Sequence, residues 1–258
     1  MKLNEQLNEL FCQWKRAMKN NAHGLYFTSD GLMYKEGITI EQTDKDWFDS
    51  PCRVMFIAKD NPGEWSDDTR YWLRSTEDDM PKHKRHKSSN RNLSNLFLKR
   101  IAYLLWGIHH IDNDNPWWCD EVDLHFEEVK DFFNTQPFAF VEAKKMPGGS
   151  CITDKRLMHH LNIYGRFLYE EIEILRPTII ICFGSPILVA VKEFYADYQQ
   201  IEIVDAEGQR SDNVYIPDLN LLLLCSYHPS TRKSNEDFYQ GCTHWYRAFL
   251  QQFPDYKK

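Results

Sequence analysis

Two short segments of the chain carry side chains suited to breaking a polarised bond. Asp60-Asn61-Pro62-Gly63 sets a carboxylate beside an amide, either of which can hold a water molecule. His228-Pro229-Ser230 offers an imidazole that, neutral and donating, can stabilise an oxygen on which negative charge develops, with Pro229 fixing the turn that presents it. A third ionisable group, Glu142, opens the segment Glu142-Ala143-Lys144-Lys145-Met146-Pro147-Gly148-Gly149. The basic run 82–87, followed by Ser88-Ser89-Asn90-Arg91, has a composition that suits a solvated loop and equally suits phosphate contacts, with Lys84 and Arg85 at its centre. Each tripeptide alone reads as an ordinary turn. Their placement along the chain is what makes them a set.

Four apolar runs without alternation, at 53–58, 137–141, 178–183 and 219–225, have the pattern of strands buried on both faces. Between them apolar residues recur at helical spacing: Leu93/Leu96/Phe97/Ile101/Leu104, Val122/Phe126/Val129/Phe133, Leu157/Leu161/Tyr164/Leu168/Ile172/Leu175 and Phe238/Cys242/Trp245/Phe249. Ser234, three residues before Asp237, is the expected N-cap of the last helix. Buried strands alternating with helices predict an α/β fold, a three-layer α/β/α sandwich around a short parallel sheet. In such sheets ligands bind beyond the carboxyl ends of the strands. All three chemical segments stand there: Asp60 and Asn61 after the first run, Glu142 after the second and His228 after the fourth.

Leu3, Leu7, Leu10, Phe11, Trp14 and Met18 write an amphipathic helix at the start of the chain, so residues 1–50 are expected to form an N-terminal helix and extension packed on a domain spanning 51–258. The 258 residues, 42% hydrophobic and 14% aromatic, have ample material for a packed core and exclude a disordered or collagenous chain. The net charge of −7 argues against a surface that is basic throughout, which makes the run at 82–87 a local exception. Seven scattered cysteines without a C-x-x-C pair suggest reduced thiols, and no apolar stretch approaches the roughly 20 residues of a membrane helix, so a soluble, cytoplasmic protein is expected. The histidine pairs His83/His86, His109/His110 and His159/His160 lack metal-motif spacing, and no metal is expected. Neither a P-loop nor a G-x-S-x-G elbow occurs.

The ordered set Asn61-Pro62-Gly63, the strand running into Gly184, and His228-Pro229-Ser230 resembles the uracil-DNA glycosylase superfamily, over roughly residues 53–249. In two of its branches the first motif is similar to G-x-N-P-G, and the last motif in most branches is H-P-S. The resemblance implies hydrolysis of the bond between a flipped base and deoxyribose in DNA, single- or double-stranded, without a cofactor. It assigns Asp60 or Asn61 to the water and His228 to the departing base. Trp65 and Tyr71, with Trp72, become candidates for stacking on the base. Ser230 and Arg232 fall where the family inserts a loop into the duplex, Arg232 to fill the vacated space or bind phosphate.

Three features depart from the family pattern. Lys59 replaces a glycine, the cysteine cluster of the iron–sulfur branch is missing, and Glu142 occupies the region where an asparagine reads uracil. An amide donates and accepts, whereas an ionised carboxylate only accepts. Facing uracil, an ionised Glu142 makes one good contact and one repulsive one, which predicts a preference for bases with adjacent donors unless Lys144 or Lys145 pairs with it. The same departures support an alternative, a non-catalytic nucleobase or nucleic-acid binding protein on this fold.

Overall fold

The computed structural model describes residues 2–18, 27–62, 68–74, 91–112, 114–148 and 152–256, with the backbone alone at 61–62 and 147–148. The four apolar runs form strands β2 (Val54–Pro62), β3 (Ala139–Gly148), β4 (Ile179–Phe183) and β7 (Leu221–Ser226). They lie side by side and parallel in the order β3-β2-β4-β7. Antiparallel strands extend this centre at both edges, β1 (Gly31–Leu32) against β3, and β6 (Arg210–Ile216) then β5 (Ile201–Val204) beyond β7, completing a seven-stranded sheet.

Helices cover both faces, which is why the central strands show no alternation. On one side Val54, Phe56, Ala58, Phe140, Ile181, Phe183 and Leu224 pack against α3 (Leu96–His110), α4 (Cys119–Leu124), α5 (Phe126–Thr135) and α8 (Asn235–Gln252). On the other, Met55, Ile57, Val141, Ile180, Cys182 and Leu223 meet α1 (Leu3–Met18), α2 (Ile40–Asp49), α6 (Asp154–Leu175) and α7 (Ser185–Phe194). Each buried Val, Leu, Ile, Phe or Met among them contributes about 1.5–3 kcal/mol by leaving water. The amphipathic α1 docks through Trp14, stacked on Phe167 of α6 with ring centroids 5.4 Å apart. Ser234 caps α8 by accepting the Asp237 N–H at 2.9 Å, as its spacing suggests.

Several elements lie outside the sequence pattern. β2 and β3 run past their apolar runs into the polar exit segments, so Asp60 and Glu142 are strand residues. The helix expected through Val122 and Phe133 breaks at His125 into α4 and α5. α2, β1, β5 and β6 complete the layers from segments with little continuous apolar signal. Beneath the exit of β3, Lys145 forms an ion pair with Asp30 and another with Glu171 of α6 at 2.7 Å, all three side chains being fully buried.

Candidate active site

The parallel register sets the depth of each exit residue. Ala58 is level with Glu142 and Asp60 with Lys144, while Ile57, Cys182 and Cys225 are level across β2, β4 and β7. His228, two residues past the end of β7, therefore stands at about the height of Asp60. Two strand spacings, about 10 Å, separate them laterally. The exits of β2 and β7 thus share the carboxyl edge of the sheet, with β4 between them.

His228 is held from several sides. Its Nδ1 accepts the Ser230 N–H at 3.2 Å, which places the proton of the neutral ring on Nε2. Its ring packs against Phe97 and Phe183 at centroid distances of 5.7 and 6.2 Å. Burial, and then the charge of Lys59, lower its pKa below the ordinary histidine value. The result is a neutral imidazole with an Nε2–H donor.

Phe97 sits in the first turn of α3, where the Asn95 side chain accepts its N–H at 2.8 Å, and also packs edge-on against Phe140 of β3 at 5.7 Å. One aromatic ring thereby joins the His228 exit to the β3 exit. From the same helix the buried Arg100 donates to the carbonyls of Pro229 and Thr231, each at 2.8 Å, to that of Lys233 at 2.5 Å, and to Asn235 Oδ1 at 3.0 Å. The loop after His228 is tied to α3 by a single guanidinium. The Thr231 N–H returns to the His228 carbonyl at 2.8 Å and closes the turn.

Asp60 alternates with Phe56 and Ala58 and so faces the α3 side, where Lys144 Nζ lies 3.2 Å from its carboxylate. Burial raises the Asp60 pKa, with Lys144 and then Lys59 opposing it. Lys59, the residue before it, donates to Asp154 at 2.7 Å, at the N-terminus of α6. Its chain passes over Gly184, whose φ of +123° suits glycine and where a Cβ would stand 3.4 Å from Lys59 Cε.

Glu142 shares the α3-facing side of β3 with Phe140 and Lys144 and is 3% exposed. β1 is too short to receive the Glu142 N–H, which goes instead to Asp30 Oδ2 at 2.8 Å. Neither nearby lysine forms an ion pair with the Glu142 carboxyl: Lys144 is held by Asp60 and Lys145 by Asp30 and Glu171.

The other candidate residues are spread more widely. Tyr71, in a short 3₁₀ turn (Thr69–Tyr71), lies against Tyr34 at 5.4 Å on the α1 side, whereas Trp72 packs on the α3 side. Ser230 and Arg232 are exposed on the loop after β7. Trp65, Lys84, Arg85 and the side chain of Asn61 lie outside the described residues. Phe97, Arg100 and the exposed Tyr227, whose ring has Lys233 Nζ 5.2 Å above it, were not singled out by motif. The available signal was an arginine in α3, a helix otherwise apolar nearly all round. A surface depression of about 440 Å³ lined by Tyr215, Phe253 and Tyr256 opens instead at the amino end of β7.

The parallel centre of the sheet carries Glu142, Asp60 and His228, in that strand order, at its carboxyl edge, where α/β proteins bind their ligands. The family model described as the uracil DNA glycosylase superfamily matches residues 13–249, and the chain belongs to that superfamily. No curated relative matches it. Membership gives the protein a DNA glycosylase-like role and DNA as its partner in general terms. Among the described residues, no helix is long and apolar enough to cross a membrane.

Proposed function

We propose that the protein hydrolyses the N-glycosidic bond of a flipped base in DNA at the edge between β2 and β7. The observation that supports this reading best is the neutral His228, its Nε2–H free of the Ser230 contact and level with Asp60. A water held by Asp60 or Asn61 adds its oxygen to the anomeric carbon. The carbon–nitrogen bond breaks, its electron pair leaves with the base, and the proton lost by the water ends on the departed base. His228 donates to the base oxygen where charge gathers, acting mainly in the transition state. Phe97 and Phe183 hold the ring, and Arg100 holds the loop behind it. Trp65 or Trp72 stacks on the base, while Lys84, Arg85, Ser230 and Arg232 contact the backbone.

The test is excision from single- and double-stranded oligonucleotides carrying uracil, hypoxanthine or xanthine, with binding measured on the same substrates. His228→Ala is expected to lose on the order of a hundred- to a thousandfold in single-turnover rate with little change in affinity. Equal rates for variant and parent refute the role of His228. Tight binding by the parent without excision of any base favours the non-catalytic alternative.

A further inference from the structure

Arg70 lies in the 3₁₀ turn between the first motif and Trp72, a cation only 3% exposed and held from two sides. Its Nε and Nη2 grip the Asp68 carboxylate as a fork, at 2.7 and 2.5 Å. Its Nη1 donates to Asn4 Oδ1 at 2.8 Å and its Nη2 also to Asn8 Oδ1 at 2.9 Å, two side chains one turn apart on the same face of α1. The helix packs closely on β1, with Leu7 against Gly31, where a Cβ would stand 3.0 Å from the leucine Cδ1. Backbone bonds complete the attachment, from the Thr69 N–H to the Ser29 carbonyl and from the Tyr34 N–H to the Arg70 carbonyl, each at 2.8 Å. Asn4 and Asn8 precede residue 13, where the match to the superfamily begins.

The clasp matters because of what it adjoins. The Met33 N–H bonds to Phe138, just before β3, and the next N–H, that of Tyr34, to Arg70, so residues 68–73 run along the side of this chain that faces away from β3. From β2 the order across the sheet is therefore β3, the chain of β1, then Asp68, three strand spacings or about 14 Å. Six residue steps from Pro62 to Asp68 reach at most about 20 Å, which leaves little slack between Asp68 and the first motif. On the other side of Arg70, the Trp72 N–H donates to the Thr69 carbonyl at 3.1 Å.

We propose that α1 is a positioning element of the active site, with Arg70 as its positioning residue: Asn4 and Asn8 hold Arg70, Arg70 holds Asp68, and the clasp sets the positions of Asn61 on one side and of Trp72 on the other. This rests on the glycosylase reading. It gives the first turns of the chain, which lie outside the family match, a part in excision.

The experiment compares the parent with Asn4→Ala/Asn8→Ala and Asn4→Asp/Asn8→Asp. Alanine removes the acceptors while favouring the helix, so α1 itself is not weakened, and aspartate keeps an acceptor oxygen at the same reach. Hydrogen exchange read by mass spectrometry should show residues 68–72 of the alanine variant exchanging roughly tenfold faster than in the parent, with β4 unchanged and the aspartate variant like the parent. Single-turnover excision should fall on the order of ten- to a hundredfold in the alanine variant at nearly unchanged affinity for DNA, and return in the aspartate variant. Parent-like exchange in the alanine variant, faster exchange without loss of rate, or an aspartate variant as slow as the alanine one overturns the proposal. Should the alanine variant fail to fold, Asn8→Ala alone trims an exposed side chain and is read in the same way. If the parent excises no base, the glycosylase reading fails by itself, and the exchange data still decide whether α1 holds residues 68–72.

Discussion

At the scale of single residues, the site depends on proton positions that neighbouring groups set. His228 remains neutral because it is buried and because Lys59 adds a like charge nearby, and its Nδ1 is committed to the Ser230 N–H. Lys59 is the residue that breaks the family's glycine pattern, so the departure has an electrostatic consequence at the His228 imidazole. Removing that charge in Lys59→Met should raise the His228 pKa toward the ordinary 6.5 or so. The shift is measurable by NMR titration of the ring protons. A pKa that is unchanged or lower in the variant would show that Lys59 is too well screened to act on the imidazole. Lys144 has the corresponding part at Asp60, where it opposes the burial that otherwise favours the neutral acid.

At the scale of elements, α3 organises the exit of β7. Phe97 in its first turn touches both Phe140 and His228, and Arg100 one turn later donates to the carbonyls of Pro229, Thr231 and Lys233. A loop without regular structure must send its backbone polar groups somewhere, and here one guanidinium takes three of them. Arg100→Met keeps the stem and removes the fork. It should cost about 2–4 kcal/mol in urea unfolding, since the carbonyls lose charge-assisted partners. Arg100→Lys should recover only part of this, because an ammonium lacks the planar fork. Full stability of Arg100→Lys would mean that charge alone, and not the fork, secures the loop.

At the scale of the whole molecule, a chain of net charge −7 must approach a polyanion, so its contacts with phosphate have to be concentrated. The run 82–87 is the strongest cluster of positive charge in the sequence. Changing Lys82, Lys84, Arg85 and Lys87 to Ser should flatten the dependence of log K for DNA on log salt, by about 0.9 for each phosphate that the variant no longer neutralises. An unchanged slope would return the run to ordinary solvated surface. The sheet and the α6 layer meet under the exit of β3, where Lys145, Asp30 and Glu171 are buried together. Burial alone would lower the Lys145 pKa, but Asp30 and then Glu171 more than offset it.

The parallel centre of the sheet was legible in the sequence because burial on both faces leaves a plain mark, a run such as 178–183 in which almost every residue is apolar. The same logic placed Asp60, Asn61 and His228 just past apolar runs, and parallel pairing then put the ends of those runs on one edge. The edge strands left little mark. β1 is two residues long, and β5 and β6 belong to an antiparallel hairpin with polar residues on its open face. Nor does spacing along a chain say which partner a lysine takes. Lys144 and Lys145 are neighbours, yet strand alternation sends one to Asp60 on the α3 side and the other to Asp30 and Glu171 beneath the sheet. Among the described residues Glu142 has no ion-pair partner, and burial pushes its pKa well above the ordinary glutamate value. The chain sequence determined which groups stand at the edge of the sheet, because periodic burial is a local pattern. Only the tertiary structure decided their proton states, because a pKa depends on what else is buried within a few ångströms, from wherever in the chain it comes.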